Sequence, residues 1–176
     1  MDNITIKKIQ LLHPSVRQKT LDDYLIVNNN LLGKNIRLRF SNTYRSFEEQ
    51  DNLYAIGRTV KGKRVTNGKG GLSIHNYGLA FDIVLLIDKD NNGTFETASW
   101  DTLSESDNDG KPDWLEIVEY FKDRGWIWGG DWKSFPDYPH FEKTFGYTPQ
   151  QLLAKHNAGD VFTEIIEGKI YKGINL

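Results

Sequence analysis

The sequence predicts an α+β fold, in which a few short strands and several helices share one core. Residues 79–87 form an apolar run interrupted only by Asp82, and such a run is typical of a buried strand. Other segments carry helical start signals or apolar residues at helical spacing, and short extended segments lie between them. A chain of 176 residues with 38% hydrophobic and 12% aromatic residues can bury one sizeable core, so we expect one domain over residues 1–176.

Local signals set the bounds of the predicted elements. Ser46 and Glu49 have the spacing of a capping box, which starts a helix at Ser46. Pro149 favours the first turn of a later helix, and Gly125 ends another. The predicted helices cover about 13–30, 46–56, 114–124 and 148–156, and the predicted extended segments are 36–40, 80–87, 126–132 (a strand and a turn) and 140–142.

Asp82 lies inside the apolar strand and should point to the face opposite Phe81. Burying a carboxylate there is costly unless a cation or several donors meet it. His75 precedes the strand by a turn that can fold its imidazole over the same face, and Gly78 and Ala80 are small enough to leave space above the strand. The pattern therefore predicts a metal ion and a substrate beside Asp82.

A second polar group follows about sixty residues later in the chain. Pro136 and Pro139 restrict the backbone on either side of Asp137, so this segment should form a rigid turn. His140 then begins a short extended piece that carries His140 and Glu142 on one face. Asp137 precedes the histidine by three residues, close enough to act as a base on a water molecule at the metal.

His75, Asp82 and His140 together provide two imidazoles and one carboxylate, which is the ligand set of a catalytic zinc with one open position. A nucleophilic pair of Ser73 and His75 would be a different chemistry. Residues two apart rarely place a base and a nucleophile in relay geometry, and such a pair would leave the other two ligands unexplained. Ser73 is expected either to hydrogen bond a substrate peptide or to hold the loop that carries His75.

Arg45 comes directly before the helix predicted at 46–56, where its planar guanidinium could reach a carbonyl oxygen at the metal. The alternative is an ordinary ion pair with one of the 24 acidic residues.

Four separated motifs, in this order, resemble the zinc peptidases that cut bacterial cell-wall peptides. That family contains D-alanyl-D-alanine carboxypeptidases and the L-alanyl-D-glutamate endopeptidases of phage endolysins, and the resemblance spans residues 38–147. The motifs are Arg45-Ser-x-x-x-Gln50-x-x-Leu-Tyr54-x-x-Gly57-Arg58, Ser73-x-His75-x-x-Gly78-x-Ala80-x-Asp82, Trp126-x-Trp128-Gly129-Gly130-Asp131-Trp132 and Asp137-x-Pro139-His140-Phe141-Glu142.

The resemblance implies a small central antiparallel sheet flanked by helices, as in hedgehog and D-alanyl-D-alanine peptidase domains. It implies that Zn²⁺ is bound by His75, Asp82 and His140. It also implies that Asp137 is the general base and that Arg45 stabilises the developing oxyanion. The expected substrate contacts are Ser73, Gln50 and Trp128.

The substrate implied by the resemblance is a peptidoglycan peptide, and three functions are compatible with it. An endopeptidase is favoured because the 45–58 and 126–132 motifs look closer to the endopeptidases. A carboxypeptidase that removes terminal D-alanine is the second possibility. The third is a non-catalytic, zinc-containing wall-binding module, because the hedgehog signalling domain shares the implied architecture.

Residues 88–113 are an acidic insertion in the family pattern. Residues 105–116 place oxygen-bearing side chains at positions 1, 3, 5, 9 and 12 around a glycine at position 6, which is the spacing of a Ca²⁺ loop. A proline at position 8, a glutamate at position 1 and the lack of a clear entering helix oppose this interpretation, and turn chemistry alone explains Asp-Asn-Asp-Gly. Asp113 also qualifies as a helix cap. The candidate calcium ligands are Glu105, Asp107, Asp109, Asp113 and Glu116.

The composition excludes several other classes of partner. A net charge of −2 leaves no basic stripe for nucleic acid, and the absence of cysteine restricts a metal to nitrogen and oxygen ligands. The amino terminus lacks the plan of a signal peptide, and no run approaches the roughly 20 apolar residues of a membrane span. We therefore expect a monomer that does not enter a membrane, is made in the cytoplasm and acts at the cell wall. It would reach the wall either by release, as a phage lysin does, or by an unknown export route.

Overall fold

The computed structural model describes residues 2–107 and 109–176, and its mixed helices and antiparallel strands confirm the α+β prediction. A π-helical segment, Val27–Leu31, continues the second helix, and 3₁₀ turns occur at Ile74–Tyr77 and Gly129–Asp131. The α-helices are α1 (Asn3–Gln10), α2 (Pro14–Ile26), α3 (Phe47–Ala55), α4 (Asp113–Lys122) and α5 (Pro149–Asn157). The strands are β1 (Ile36–Asn42), β2 (Ala80–Ile87), β3 (Thr97–Ser99), β4 (Ile127–Trp128), β5 (His140–Glu142), β6 (Val161–Ile166) and β7 (Lys169–Ile174).

Strand β2 is the centre of the main sheet, whose strands lie in the order β1, β2, β5, β4. Strand β1 pairs antiparallel with β2 along its length, from Ile36 opposite Ile87 to Asn42 opposite Asp82. The other edge of β2 is shared, because β3 pairs with its last residues and β5 with its first. The start of β2 is therefore held between β1 and β5, and Asp82 lies there.

Aromatic packing fixes which face of the sheet is buried. The ring centroid of Phe81 lies 4.3 Å from that of Phe40 and 5.1 Å from that of Phe141, and all three side chains are fully buried. Helix α4 covers them with Trp114 and other apolar residues of the same core. Because successive side chains of a strand point to opposite faces, this packing directs the residue after Phe81 to the uncovered face.

A second, smaller cluster supports the turn that precedes β2. Leu152 of α5 and Ile174 of β7 pack with Tyr77 and its neighbours. The β6–β7 hairpin is tied to α2 by Arg17, whose guanidinium donates two hydrogen bonds of 2.7 Å to the carboxylate of Glu164. The carboxyl-terminal hairpin therefore braces the segment that carries His75.

Most predicted elements are present, and the differences are local. The capping box predicted at Ser46 forms, and the helix predicted from Pro149 begins with another capping box, at Thr148. The interpretation of Asp113 as a helix cap is wrong, because Pro112 holds the N-cap position and Asp113 is the first helical residue. Among residues 2–107 and 109–176, no helix combines the length and the apolar character needed to cross a bilayer.

Asp2 anchors the amino-terminal helix, and its replacement gives a first testable prediction. Its buried carboxylate caps α1 and accepts two hydrogen bonds from the Arg39 guanidinium, at 2.8 and 2.9 Å. We expect Asp2→Ala to lower the free energy of unfolding by about 2 to 3 kcal/mol, because it removes a cap and a charged pair. Urea unfolding should show this loss, whereas Asp22→Ala on the exposed side of α2 should change stability by less than about 0.5 kcal/mol.

The contribution of Asp2 should also depend on pH. Burial would raise its pKa, but the hydrogen bonds from Arg39 and Thr5 outweigh burial, so the folded pKa lies below the usual value. A lowered folded pKa stabilises the protein above the unfolded pKa, and this stabilisation disappears as the pH falls through the folded pKa. The stability difference between wild type and Asp2→Ala should therefore shrink below about pH 4. A constant difference down to pH 2 would contradict this account.

Candidate active site

The pairing of β2 and β5 brings two of the predicted ligands together. Asp82 and His140 are direct partners in the antiparallel register, and the amide of Ile83 donates to the carbonyl of Pro139 at 3.0 Å. Partners in such a register project from the same face of the sheet. Two residues that are 58 positions apart in the chain thereby share the uncovered face.

His75 reaches the same place from the 3₁₀ turn before β2. The turn ends at Gly78 in the left-handed conformation, with φ of +66°, which favours glycine. A Cβ at Gly78 would also approach the amide nitrogen of His13 to 2.8 Å, so the α1–α2 connection passes directly over it. The close crossing and the positive φ together hold the turn that places His75 above β2.

Three ligand atoms converge at this point. His75 Nε2 lies 3.2 Å from Asp82 Oδ1 and 3.2 Å from His140 Nδ1, and His140 Nδ1 lies 3.1 Å from Asp82 Oδ1. A tetrahedral ion with bonds of about 2.0 to 2.1 Å would separate its ligand atoms by about 3.3 Å. The donor set therefore fits an ion of the size of zinc with only a slight widening.

The remaining nitrogen of each imidazole has its own partner. His75 Nδ1 lies 2.6 Å from the carbonyl oxygen of Thr43, and His140 Nε2 lies 3.1 Å from Glu142 Oε2. Both partners accept, so each of these nitrogens carries a proton, and the opposite nitrogen is the one that can donate its lone pair to a metal ion. The two rings therefore present Nε2 of His75 and Nδ1 of His140 to a metal.

The electrostatic potential of the site favours a cation. Burial opposes protonation of His140, but the carboxylates of Asp82 and Glu142 raise its pKa to about 9. Burial would likewise raise the pKa of Asp82, yet the imidazoles of His75 and His140 hold it well below its usual range. A divalent ion would supply the positive charge that these groups favour.

Glu142 gives a second testable prediction, because it orients His140 without belonging to the converging triangle. Glu142→Ala removes the acceptor at His140 Nε2, and we expect zinc affinity to fall about 10- to 100-fold, as when other such orienting partners are lost. Glu142→Gln retains an amide oxygen that can accept the same hydrogen bond, so its zinc affinity should fall less than that of Glu142→Ala. Competition with a chromophoric chelator measures both affinities, and equal zinc binding by all three proteins would contradict the role of Glu142.

Arg45 lies at the edge of the triangle. Its guanidinium donates to Gln50 Oε1 at 2.7 Å and lies 3.9 Å from Asp82 Oδ2. The amide nitrogen of Gln50 in turn donates to the Gly68 carbonyl at 2.8 Å. Burial lowers the pKa of Arg45 while Asp82 opposes that change, and an arginine side chain keeps its charge at neutral pH. Arg45 therefore presents a fixed positive charge beside the ligands.

A cleft of about 590 Å³ opens over the triangle, a volume in the usual range of ligand sites. Asp137 lines it together with the three ligands and Arg45. Burial raises the pKa of Asp137, the neighbouring Asp82 adds to the rise, and the two imidazoles and Arg45 oppose it. A carboxylate and a guanidinium thus face the same space as the ligand atoms.

Close backbone packing positions Asp137. Its amide donates to the Gly129 carbonyl at 3.0 Å, and a Cβ at Gly129 would come within 2.5 Å of the Asp137 carbonyl oxygen. The indole of Trp128 donates to the Tyr138 carbonyl at 2.7 Å and so holds the same turn. Gly129 and Trp128 of the 126–132 motif therefore fix the turn that carries Asp137 and His140.

The three expected substrate contacts fall in different places. Ser73 lines the cleft. Gln50 is fully buried and its amide is occupied by Arg45 and the 66–68 loop, so it positions Arg45 rather than meeting a ligand. Trp128 is also outside the cleft lining, and Trp132 takes that place with its ring centroid 5.2 Å from that of His140.

Sequence reasoning missed the parts of the site that have no side-chain signature. The carbonyl of Thr43 orients His75, and Thr66 and Phe135 line the cleft. A backbone acceptor can be any residue type, so the sequence carries no signal for Thr43. The tryptophans and glycines of residues 126–132 did indicate that this segment belongs to the site, but they did not indicate which indole ring faces the cleft.

The converging side chains of His75, Asp82 and His140 could hold a metal ion, and comparisons with known proteins place the chain among the metallopeptidases. A family model described as D-alanyl-D-alanine carboxypeptidase matches residues 66–143. The peptidoglycan L-alanyl-D-glutamate endopeptidase CwlK of Bacillus subtilis is 46% identical over 131 residues, which are 74% of this chain and 72% of that protein. The chain therefore belongs to the D-alanyl-D-alanine carboxypeptidase family of peptidases, which confirms the resemblance drawn from its motifs.

The comparison with solved structures also found matches. The L-Ala D-Glu endopeptidase ChiX of Serratia marcescens matches with a TM-score of 0.47 and 21% identity, covering 82% of this chain and 90% of that one.

Proposed function

We propose that this protein is a zinc-dependent endopeptidase that hydrolyses the bond between L-alanine and D-glutamate in peptidoglycan stem peptides. The observation that carries the proposal is the triangle of His75 Nε2, Asp82 Oδ1 and His140 Nδ1 under a cleft that also holds Asp137 and Arg45. The choice of bond rests on the 46% identity to CwlK, whose name gives that specificity.

His75, Asp82 and His140 would hold the zinc ion. When bound, zinc polarises the scissile carbonyl and acidifies a water molecule toward a pKa of about 7. The two imidazoles are kept in the correct tautomers by Thr43 and Glu142, so the ligand atoms are arranged before the ion arrives.

Asp137 moves the proton. Its carboxylate takes a proton from the attacking water as the new carbon–oxygen bond forms. The same proton then passes to the amine nitrogen as the carbon–nitrogen bond breaks, so water is consumed and an acid and an amine are released. Burial next to Asp82 raises the pKa of Asp137, which makes it a better proton acceptor than an exposed aspartate.

Arg45 stabilises the negative charge that develops on the carbonyl oxygen. Gln50 fixes Nη1 of the guanidinium, Nη2 lies 3.9 Å from Asp82 Oδ2, and Arg45 lines the cleft. A donor held in place before the reaction costs no reorganisation during it. Ser73 and Trp132 line the same cleft and are proposed to contact the bound peptide.

Digestion of purified peptidoglycan by the zinc-loaded protein, followed by mass analysis, tests the bond that is cut. We expect glycan fragments that end in L-alanine and released peptides that begin with D-glutamate. Free D-alanine as the sole product would replace the endopeptidase with the carboxypeptidase that the family description names. Binding to peptidoglycan without any released product would instead support the non-catalytic wall-binding module.

A further inference from the structure

The acidic insertion brings its carboxylates together in space. Glu105, Asp107 and Asp109 each offer an oxygen within 4.8 Å of the others, and the same holds for Asp107, Asp113 and Glu116. Because Asp107 belongs to both groups, side chains from residues 105–116 converge on one region. The preference of turns for aspartate explains why Asp107 and Asp109 lie close together. It does not explain why Asp113 and Glu116 of helix α4 lie beside them.

Asp113 and one carboxylate oxygen of Glu116 are buried without a hydrogen-bond partner among the described residues. Asp113 is 0% exposed, and among the residues that the structure describes neither of its carboxylate oxygens has a hydrogen-bond partner. Glu116 Oε2 is likewise buried and unpaired there. Burying an unpaired carboxylate costs several kcal/mol, and a bound cation would offset that cost.

Three amides at the start of helix α4 are engaged by backbone carbonyls. The amide of Asp113 donates to the Ser104 carbonyl at 3.1 Å, and the amides of Leu115 and Glu116 donate to the Pro112 carbonyl at 2.9 and 3.2 Å. None of these three N–H groups makes a hydrogen bond of normal geometry to the buried carboxylate oxygens.

We propose that residues 105–116 bind one Ca²⁺ ion through Asp107, Asp109, Asp113 and Glu116, with Glu105 at the edge of the site. Several carboxylate oxygens in an adaptable loop are the ligands that calcium prefers. Gly110 has φ of +89° with open space around it, so the chain can turn sharply at the position where calcium loops carry glycine. The proline at position 8 lies between ligand positions 7 and 9, and it contributes the N-cap of α4 rather than a ligand.

The position of the loop indicates which parts of the fold a bound ion would connect. A Cβ at Gly33, just before β1, would come within 2.7 Å of Asp107 Cβ, so the loop packs directly on the main domain there. On the other side, Asp113 is followed by Trp114, which is fully buried in the core. Bound calcium would therefore join the insertion to α4 and the start of β1, and its effect would be on stability. The inference is independent of the proposed peptidase activity.

The neighbouring acidic turn provides a matched control. Asp88, Asp90 and Glu96 also have oxygens within 4.8 Å of one another. Here, however, Asp88 accepts hydrogen bonds from the amides of Asn92 and Gly93, at 3.1 and 2.8 Å. Its carboxylate is therefore satisfied by the chain, and this turn does not require an ion.

Calorimetric titration and thermal unfolding test the site. The full chain is freed of divalent ions with a chelator, reloaded with one equivalent of zinc and then titrated with calcium chloride. We expect one calcium per chain and a rise in Tm of about 5 to 10 °C when calcium exceeds its Kd about 100-fold. Glu116→Gln should lose this rise while being at least as stable as wild type without calcium, because it removes a buried unpaired charge. Asp90→Asn should keep the full rise.

Three results would overturn the proposal. The first is no binding and no change in Tm at 5 to 10 mM calcium, and the second is an equal rise in Tm with magnesium at the same concentrations. The third is loss of the calcium-induced rise in Tm in Asp90→Asn but not in Glu116→Gln. Asp107→Asn serves as a second variant if Glu116→Gln fails to fold, and it should also lose the rise.

Discussion

Replacing Asp137 with Ala is expected to lower the rate of peptide hydrolysis by about 10²- to 10⁴-fold while the protein keeps its zinc. The carboxylate lines the cleft over the three ligand atoms but is not one of them, so its loss removes proton transfer and leaves metal binding intact. The measurement is the initial rate on purified peptidoglycan or a stem peptide, together with zinc content determined on the same samples.

Asp131→Ala is the control for this experiment. Asp131 is an exposed acid six residues earlier, paired with Lys122 at 2.6 Å. Its replacement should leave the rate of hydrolysis within about twofold of wild type, because surface ion pairs contribute little to stability. A rate for Asp137→Ala within tenfold of wild type would show that another group acts as the base.

Asp82→Asn is expected to lower zinc affinity by more than about 100-fold and to reduce hydrolysis to background. Even the loss of an orienting partner outside the ligand set lowers metal affinity about 10- to 100-fold. A neutral amide also cannot supply the negative charge that holds a divalent ion between two imidazoles. Asparagine has nearly the same size as aspartate, so the pairing of β2 with β1 and β5 should remain.

Circular dichroism separates this loss from unfolding. Unchanged spectra with a zinc content near zero are the expected combination for Asp82→Asn. Full zinc occupancy with full activity in this variant would mean that Asp82 is not a ligand.

The sequence was most informative where chemistry and local structure require particular residue types. An aspartate inside an apolar strand, with a histidine before it and another in a proline-bounded turn, predicted a metal site, and the structure brings these three side chains together. The sequence did not predict which nitrogen of each imidazole faces the ion. That choice depends on the Thr43 carbonyl and on Glu142, and thus on contacts between distant parts of the chain.

Helix α1 and the β6–β7 hairpin are among the elements that the sequence did not predict, each for a physical reason. Residues 3–10 begin with Ile4 and Ile6 around a threonine, a β-branched run that hides a helix whose start depends on the Asp2 cap. The β6–β7 hairpin turns at Glu167 and Gly168, both with positive φ, and glutamate is not one of the usual residues at such a turn. In both cases tertiary contacts outweigh local preference.

Anomalous diffraction from crystals grown with zinc tests the central claim most directly. Data collected on both sides of the zinc absorption edge should give one strong peak within about 2.0 to 2.2 Å of His75 Nε2, Asp82 Oδ1 and His140 Nδ1. A peak bound by other residues, or no peak between these three atoms at full zinc loading, would contradict the account.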